Sequence, residues 1–367
     1  MVVADTALKN LQILATGLNA HSQLSAHSTQ DLNSFTPVTT PSSPDTVRLL
    51  YAGWSTTVLQ LGSQVLGLGL QDFTSDVSAA GGDLFDAVGD EDGLLECLDP
   101  EGRLWTCGDE GFKCVADPDG SPLIGHLALA GNGKVAITFK QAPSGRLCHV
   151  LCFDSLDELR AWYANPAEVS YNAEKQHFMM QGQPRQLLAG TGTFLLRMES
   201  GEVYSWGDSR YSSLGRSITD TPAEHPGAVE ALGGLKIKKV ACGGWLNAAL
   251  SEDGACYLWG ANTPGTEHTI KCLQHAGAGQ IVLVELLNKA EGEPLDVLDV
   301  AIGDNHVVLL ADGNQCFAAG ESKNGQLALG RFESFVNDWT AIDRKGSRID
   351  SIICGPKSTY VFAESSG

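Results

Sequence analysis

The pair Gly133 and Lys134 has the clearest potential for chemistry, because a Gly-Lys step in a glycine-rich loop can hold phosphate groups. Such a loop needs a further glycine five residues before Gly133 and a Ser or Thr directly after the lysine. Ala128 and Val135 occupy those places, so the segment AGNGKVAI is not a phosphate loop. A Gly-x-Ser-x-Gly nucleophile elbow does not occur in the sequence.

Three acidic stretches could suggest other sites. DPDGSP from residue 117 and GDEDG from residue 89 carry carboxylates, but the full calcium-loop spacing with a final Glu is absent. SEDGACYLW from residue 251 resembles a sialidase Asp-box, with its glycine one place early and its tryptophan one place late. All three stretches predict ordinary turns, and no pair of carboxylates is singled out for glycoside hydrolysis.

Cysteine and histidine spacing indicates no metal site. The ten cysteines contain no Cys-x-x-Cys, their closest pair is Cys148 and Cys152, and the nine histidines add no zinc-like spacing. Most cysteines lie in apolar runs, which predicts reduced, small core residues in a cytosolic or nuclear protein. The sequence therefore predicts a protein that is not an enzyme and needs no cofactor or metal.

Negative charge is concentrated in one region. The formal net charge is −20, and residues 72–119 hold fourteen acids against Arg103 and Lys113. Two interpretations remain open: a solvated surface with a solubilising role, or a docking surface for a basic protein partner. Direct nucleic-acid binding is not expected, because phosphate contacts need clustered Lys and Arg. The acidic candidates are Asp83, Asp86, Asp90, Glu91 and Asp92.

The N-terminal segment MVVADTALKNLQILATG lacks the basic start and long apolar run of a signal peptide. Apolar stretches in the chain fall short of the roughly 18 residues that a membrane span needs. We therefore expect an intracellular protein, cytoplasmic or nuclear or both, with no membrane partner.

A repeated pattern organises the chain. Each unit starts with a short apolar run that ends in a glycine, which we call the opening glycine. The opening glycines Gly190, Gly243, Gly303 and Gly355 are 53, 60 and 52 residues apart. A closing glycine lies 17 residues after the first three of these, at Gly207, Gly260 and Gly320. Each interval contains two strand-like runs joined by an Asp-Gly or Ser-Gly turn, which predicts a hairpin. Constant hairpins with variable connections are typical of packed strands joined by surface loops.

Seven units fit the chain when one of them is split between its ends. The C-terminus supplies IICGPKSTYVFAE, and the N-terminus supplies the complementary LQILATGLNAHSQL. This predicts an all-β fold, a seven-bladed β-propeller closed by pairing of N- and C-terminal strands, since an open solenoid has no use for complementary half-units. We expect one propeller over 1–367, with blades near 46–73, 93–115, 125–153, 185–215, 237–262, 297–330, and 349–363 joined with 8–24.

The segments GEVYSWGDSRYSSLG, VACGGWLNAALSEDGACYLWG and GESKNGQLALG resemble repeats of the regulator-of-chromosome-condensation family. The resemblance implies a seven-bladed propeller and is most specific from about residue 185 onward, where it looks closest to the small single-propeller members, including the fungal α-tubulin suppressor type. The family's histidine after the opening glycine is kept as His306, and its following Thr as Thr57 and Thr359, which we expect to brace turns. The family includes an exchange factor for the Ran GTPase, scaffolds and enzyme partners.

Residues just after opening glycines should emerge on one face of a propeller. The candidate binding residues are Trp54, Trp245, Asp304, Asn305 and Lys357. The alternative is that both tryptophans pack beneath neighbouring loops. Longer connections at 72–92, 154–184, 216–236 and 263–296 could also carry recognition, and residues 154–171 predict one short helix.

From these features we expect a monomeric propeller that binds a protein partner through its rim loops, as a non-enzymatic scaffold or a regulatory subunit. The alternative is a guanine-nucleotide exchange factor for a Ran-like small GTPase.

Overall fold

The computed structural model describes residues 11–38, 47–108, 111–115, 123–140, 147–165, 177–261, 268–277, 279–288, 292–344 and 346–364. Within these ranges, 28 strands form seven four-stranded antiparallel sheets. In six of the seven pairs of neighbouring sheets the first strands contact each other, and in the seventh pair Gly355 lies against Ala52, so the sheets radiate as blades from a common centre. This is the seven-bladed propeller that the sequence predicts.

The strands follow one another in a regular order. The N-terminal strands are β1 (Leu11–Gly17) and β2 (Leu32–Pro37). Blade 1 contains β3 (Val47–Ala52), β4 (Thr56–Leu61), β5 (Gln64–Gly69) and β6 (Phe73–Asp76). Blade 2 contains β7 (Phe85–Gly89), β8 (Leu94–Leu98), β9 (Leu104–Gly108) and β10 (Gly111–Cys114). Blade 3 contains β11 (Ile124–Leu129), β12 (Val135–Phe139), β13 (Leu147–Phe153) and β14 (His177–Gln181).

The second half repeats this order. Blade 4 contains β15 (Pro184–Ala189), β16 (Thr193–Met198), β17 (Val203–Gly207) and β18 (Gly227–Ala228). Blade 5 contains β19 (Ile237–Gly243), β20 (Leu246–Ser251), β21 (Cys256–Gly260) and β22 (Val282–Leu283). Blade 6 contains β23 (Val297–Ile302), β24 (His306–Ala311), β25 (Gln315–Ser322) and β26 (Glu333–Ala341). The C-terminal strands are β27 (Ile349–Gly355) and β28 (Ser358–Glu364).

Blade 7 closes the ring with both ends of the chain. Its order is β2-β1-β28-β27, so the N-terminus supplies the two outer strands and the C-terminus the two inner ones. The register between β1 and β28 is continuous from Leu11↔Glu364 to Gly17↔Ser358. The predicted closure is therefore confirmed.

Helical structure is limited to α1 (Leu156–Ala164) and single 3-10 turns in the described part of the chain. The Ser155 hydroxyl caps the N-terminus of α1 by accepting a hydrogen bond from the Glu158 backbone amide at 3.2 Å. Leu159 and Trp162, on the inner face of the helix, are buried. The predicted short helix is thus present, and residues 166–176 lie outside the described ranges. The 3-10 turns are Ser78–Ala80, Arg210–Ser212, Glu230–Leu232, Lys271–Leu273 and Asp312–Asn314.

The segments expected to be long insertions contain strands. Residues 72–92 hold β6 and also β7, the innermost strand of blade 2, which was expected to begin only near residue 93. The other three segments contain the outermost strands β14, β18 and β22. These strands were missed because they are short or partly exposed, as in β6 with its alternating burial, and so lack a continuous apolar pattern.

The fixed offset between opening and closing glycines has a steric cause. Each closing glycine has positive φ and lies opposite the start of the blade's second strand, where a Cβ atom would meet a backbone carbonyl oxygen. That oxygen is 2.3 Å away for Gly207 and 2.0 Å for Gly260, distances that no side chain tolerates. The residue that faces the closing glycine is always the third after the opening glycine, so hairpins of equal length give the same interval between the two glycines.

Apolar layers between neighbouring blades form the core. Trp259 is fully buried between blades 4 and 5, and its indole N–H donates to the Ser213 carbonyl at 3.1 Å. The leucine seven residues after a closing glycine is buried in three blades, at Leu24, Leu214 and Leu327. These leucines hold the loops after the closing glycines against the blades, so the loops at this end form a rigid platform.

Candidate protein-binding rim

One end of the propeller carries all the turns after opening glycines and all the loops after closing glycines, and we call it the glycine rim. Adjacent turns form backbone hydrogen bonds with one another around the centre. The Gly131 amide donates to the Gly190 carbonyl at 3.0 Å, and the Thr191 amide donates to the Gly244 carbonyl at 2.8 Å. The Asp304 amide donates to the Pro356 carbonyl at 3.1 Å in the same way. Side chains on these turns therefore have fixed positions relative to one another.

Trp54 emerges from the turn between β3 and β4. Its side chain is 43% exposed. Its backbone carbonyl accepts from Gln23 at 2.8 Å, which fixes the turn. Leu70 follows the closing glycine of the same blade and is 55% exposed, and its amide donates to the Ser55 carbonyl at 3.0 Å. Two large apolar side chains thus lie exposed on neighbouring loops of blade 1.

The acidic turn, Asp90 to Asp92, lies next to these loops on blade 2. The Tyr51 hydroxyl donates to the Asp90 carbonyl at 2.7 Å, and the Ser55 hydroxyl donates to the Glu91 carbonyl at 2.5 Å. Burial, and then the charges of Asp90 and Glu91, raise the pKa of Tyr51 well above its usual value, so this donor stays protonated. The backbone of the turn is held by blade 1, while its three acidic residues are exposed.

Lys357 lies between Trp54 and a carboxylate of blade 6. Its ammonium is 5.3 Å from the centre of the Trp54 ring and 2.9 Å from Glu321 Oε2. Asn305 donates to the same oxygen at 3.2 Å, and Lys323 lies 3.5 Å from the other. Burial opposes ionisation of Glu321, but Lys357 and the other donors outweigh it and hold the pKa of this carboxyl below its usual value.

Asp304 and His306 lie at the turn between β23 and β24, and the pKa values of both side chains are shifted. Burial raises the pKa of Asp304 to about 6, with Glu321 adding to the rise and Lys357 opposing it. Burial, assisted by Lys357, lowers the pKa of His306 to about 3, so its ring is neutral. His306 Nε2 is 3.1 Å from the Thr359 hydroxyl, which joins blades 6 and 7. His306 and Thr359 therefore brace the turn, as expected.

Trp245 lies in the corresponding turn of blade 5 but one place later than Trp54 does in blade 1: its carbonyl oxygen faces the closing Gly260, as that of Ser55 faces Gly69, and its side chain is only 8% exposed. The Arg210 guanidinium lies 5.4 Å from its ring centre, and the Tyr211 ring meets it edge-on at 5.0 Å. Arg210 is held in place by Asp208: the guanidinium Nε donates to both carboxylate oxygens, at 3.0 and 2.9 Å. Trp245 therefore packs beneath a neighbouring loop, which is the alternative that the sequence left open.

The remaining acidic candidates do not join the acidic turn. Asp83 precedes β7, whereas the acidic turn follows it, and Asp83 lies 3.8 Å from Arg48. Asp86 lies within β7, and its carboxylate is 2.9 Å from His126 Nδ1. The structure therefore groups Trp54, Asp304, Asn305, Lys357 and Asp90 to Asp92 on the rim, and separates Asp83 and Asp86 from them.

Three contributors were missed by the sequence argument: Leu70, Glu321 and Arg210. Leu70 and Glu321 each directly follow a closing glycine, and Arg210 lies three residues after one. The sequence argument followed only the opening glycines. Counting from the closing glycines as well would have identified these positions, because both sets of loops share one end of the blades.

Among the described residues, no cluster of three or more His, Cys, Asp or Glu side chains could hold a metal ion. All ten cysteines are free thiols, and burial raises the pKa of Cys242 and Cys354 to about 12, which keeps them protonated and unreactive. In the described segments, no helix is long and apolar enough to cross a membrane.

The blades and their closure define a class of protein, the seven-bladed β-propeller. Over its whole length the chain matches the crystal structure of Prp20p from Saccharomyces cerevisiae, with a TM-score of 0.70, 15% identity and 94% of that chain covered. At this identity, the match shows the fold alone.

The repeat type is shown by the sequence comparisons. Residues 200–250 match the family model of the regulator of chromosome condensation (RCC1) repeat. RCC1 domain-containing protein 1 is 29% identical over 216 residues in Mus musculus and 27% identical over 267 residues in Homo sapiens. These alignments cover 49% and 62% of this chain but only 55% and 66% of the relatives. The predicted resemblance to the RCC1 repeat family is thus confirmed.

Proposed function

We propose that this propeller is a non-enzymatic scaffold or regulatory subunit of an intracellular complex, and that it binds a protein partner through the glycine rim. The observation that carries the proposal is the exposed Trp54 on a rigid turn. An aromatic side chain that is fixed in place loses little conformational entropy on binding, and tryptophan is among the residues most enriched in interface hot spots. The Lys357 ammonium lies 5.3 Å from the centre of the Trp54 ring, while Asp304 and Asn305 lie on the neighbouring turn of blade 6, where Asn305 is only 8% exposed.

Three further observations support the proposal. Protein partners are named for the structural relative, since the Prp20p study describes its binding properties to Gsp1p and histones. The described residues offer no assembled metal site. Ten free thiols suit a reducing compartment, which fits a cytoplasmic or nuclear location.

Exchange activity on a Ran-like GTPase is the second candidate, favoured by the full-length fold match to Prp20p and its reported binding to Gsp1p. Exchange requires a surface that opens the nucleotide site of the GTPase. The two candidates differ in one measurable property: an exchange factor accelerates release of bound GDP, whereas a scaffold binds without turnover.

The test is affinity purification of the tagged protein from its own cells at moderate salt, read by mass spectrometry. We expect a stoichiometric partner that Trp54→Ala loses and Met179→Ala retains. Met179 is a matched control because it is 65% exposed on the outermost strand of blade 3. Recovery of a Ran-type GTPase, together with faster release of labelled GDP, would replace the scaffold by the exchange factor. Recovery of no partner contradicts both.

A further inference from the structure

We infer that the exposed apolar pair Trp54 and Leu70, bordered by the acidic turn, is the docking site for a short basic segment of a partner protein that carries one large apolar side chain. We call these residues, Trp54, Leu70 and Asp90 to Asp92, the Trp54 patch. The inference rests on the proposed function and adds to it the part of the rim that is used and the chemistry of the segment that it takes.

The apolar part of the patch is exposed and fixed. Trp54 and Leu70 are 43% and 55% exposed, and the Leu70 amide to Ser55 carbonyl bond of 3.0 Å joins their loops. Gly53 precedes Trp54, and a Cβ atom there would lie 2.7 Å from the Tyr51 ring, so the turn packs directly on a buried aromatic. Exposed apolar groups on an immobile support gain free energy when a partner's apolar side chain covers them.

The acidic part is placed beside it by the same turn. Tyr51 and Ser55 bind the carbonyl oxygens of Asp90 and Glu91, and Gln71 of blade 1 exchanges two hydrogen bonds with Leu94 at 2.9 and 3.0 Å. Blade 1 therefore fixes the backbone of the acidic turn on both sides. Its conformation is set before any partner arrives.

Within the described residues, the charges of this turn have no basic partner. Asp90 accepts from the backbone amide of Asp92 at 3.0 Å, and Glu91 and Asp92 are exposed. Lys357, whose ammonium lies on the Trp54 ring, is bound to Glu321 at 2.9 Å. Lysine or arginine side chains of a partner would supply the missing countercharge at low desolvation cost, because the carboxylates are at the surface.

Charge selects the basic protein segment over other occupants. A second copy of this chain brings a net charge of −20 to the same surface and is repelled. A nucleic acid or an anionic membrane would place like charge against Asp90, Glu91 and Asp92. The Trp245 side of the rim offers no equivalent site, since Arg210 and Tyr211 cover its tryptophan.

The test measures the anisotropy of labelled synthetic peptides in an array. Each peptide has one central Leu, Phe, Met or Trp between paired lysines or arginines. Two matched series replace either the basic residues by glutamate or the central residue by serine. We expect saturable binding of basic peptides with an apolar centre, and binding at least about tenfold weaker for both matched series.

Variants of the protein assign the site. We expect Trp54→Ala to weaken binding of the best peptide about tenfold, as removal of an aromatic anchor does. The triple variant Asp90→Asn, Glu91→Gln and Asp92→Asn should weaken it as well and flatten its salt dependence. Matched controls are Met179→Ala for the apolar part and Asp83→Asn for the charge, and both should bind like the wild type. Urea unfolding of each variant verifies that it is folded.

Equal binding of basic and acidic peptides, unchanged binding in the Trp54 and triple variants, or no binding by any peptide each overturns the inference. These outcomes leave the proposed function in place if purification still recovers a partner from cells. Failure of that purification, by contrast, overturns the proposed function itself.

Discussion

Two tryptophans in equivalent turns of one propeller have opposite surroundings. Trp54 in blade 1 is 43% exposed with the Lys357 ammonium 5.3 Å from its ring centre, whereas Trp245 in blade 5 is 8% exposed beneath Arg210 and Tyr211. Both lie in the turn after an opening glycine on the glycine rim, Trp54 one place and Trp245 two places after that glycine. The two rings therefore differ by one place in the turn as well as in the side chains that cover them.

The preceding blade supplies the side chains that cover Trp245. Arg210 and Tyr211 lie three and four residues after the closing glycine of blade 4, and their side chains reach over Trp245. Ala20 and His21 hold the same offsets in blade 7, which precedes blade 1. The next residue has positive φ in both loops, 63° at Ser22 and 57° at Ser212, but Tyr211 also has a positive φ of 60° and His21 does not. The two loops therefore differ in backbone conformation as well as in side chains.

Loss of Trp245 should have the largest effect on stability. Trp245→Ala removes a buried aromatic ring and leaves a cavity, which costs about 3–5 kcal/mol of unfolding free energy. Trp54→Ala should cost less than about 1 kcal/mol, as expected for a half-exposed side chain. Urea unfolding of both variants measures the difference. Equal losses would show that the two rings are packed alike.

Asp304→Asn should stabilise the protein at neutral pH. The pKa of Asp304 is raised to about 6 from its ordinary 3.8, so the folded state holds this proton more tightly than the unfolded chain does. Ionisation of the carboxyl therefore opposes folding, fully above pH about 6, and the penalty fades as the pH falls toward 4. At about 1.4 kcal/mol per pKa unit, the gain from Asn is at most about 3 kcal/mol at pH 7.5.

The matched measurement is urea unfolding of the wild type and Asp304→Asn at pH 7.5 and pH 4.5. Most of the gain should be lost at the lower pH. Charging of His306 also disfavours folding in acid, because its folded pKa is lowered to about 3, but this affects both proteins equally and cancels in the comparison. A gain of the same size at both pH values would mean that the carboxyl is not protonated near pH 6.

Tyr211→Ala should uncover Trp245 at moderate cost. The edge-on contact between the two rings, 5.0 Å between centres, is of the kind worth about 1 kcal/mol beyond area burial. We expect a loss of about that size, together with greater acrylamide quenching of tryptophan fluorescence. The added quenching should disappear in a Trp245→Phe background, and its persistence there would assign it to another tryptophan.

The reciprocal change, Ala20→Arg with His21→Tyr, should leave stability within about 0.5 kcal/mol, since both positions are exposed. If the covering residues alone distinguish the two sites, the new side chains shield Trp54 from acrylamide and weaken binding of the basic peptide. Trp54→Phe is the control for the quenching signal. Unchanged quenching and unchanged binding would show that the backbone of blade 7 also contributes to the difference.

The sequence by itself determined the architecture. Seven units, the split blade and the fixed interval between glycines could be counted in the chain, because strand pairing leaves no room for a Cβ atom where Gly207 and Gly260 face the neighbouring strand. The same counting placed Trp54 and Trp245 on one end. It missed β7 and the outer strands, whose short or half-polar sequences carry little pattern.

Only the tertiary structure decided which rim residues are available. Trp245 is covered by Arg210 and Tyr211, which lie more than thirty residues earlier and belong to the preceding blade. The grouping of the acidic turn with Trp54, and the separation of Asp83 from it, depend on where β7 begins and ends. Contacts between loops of different blades have no fixed spacing in sequence, so no periodic pattern could reveal them.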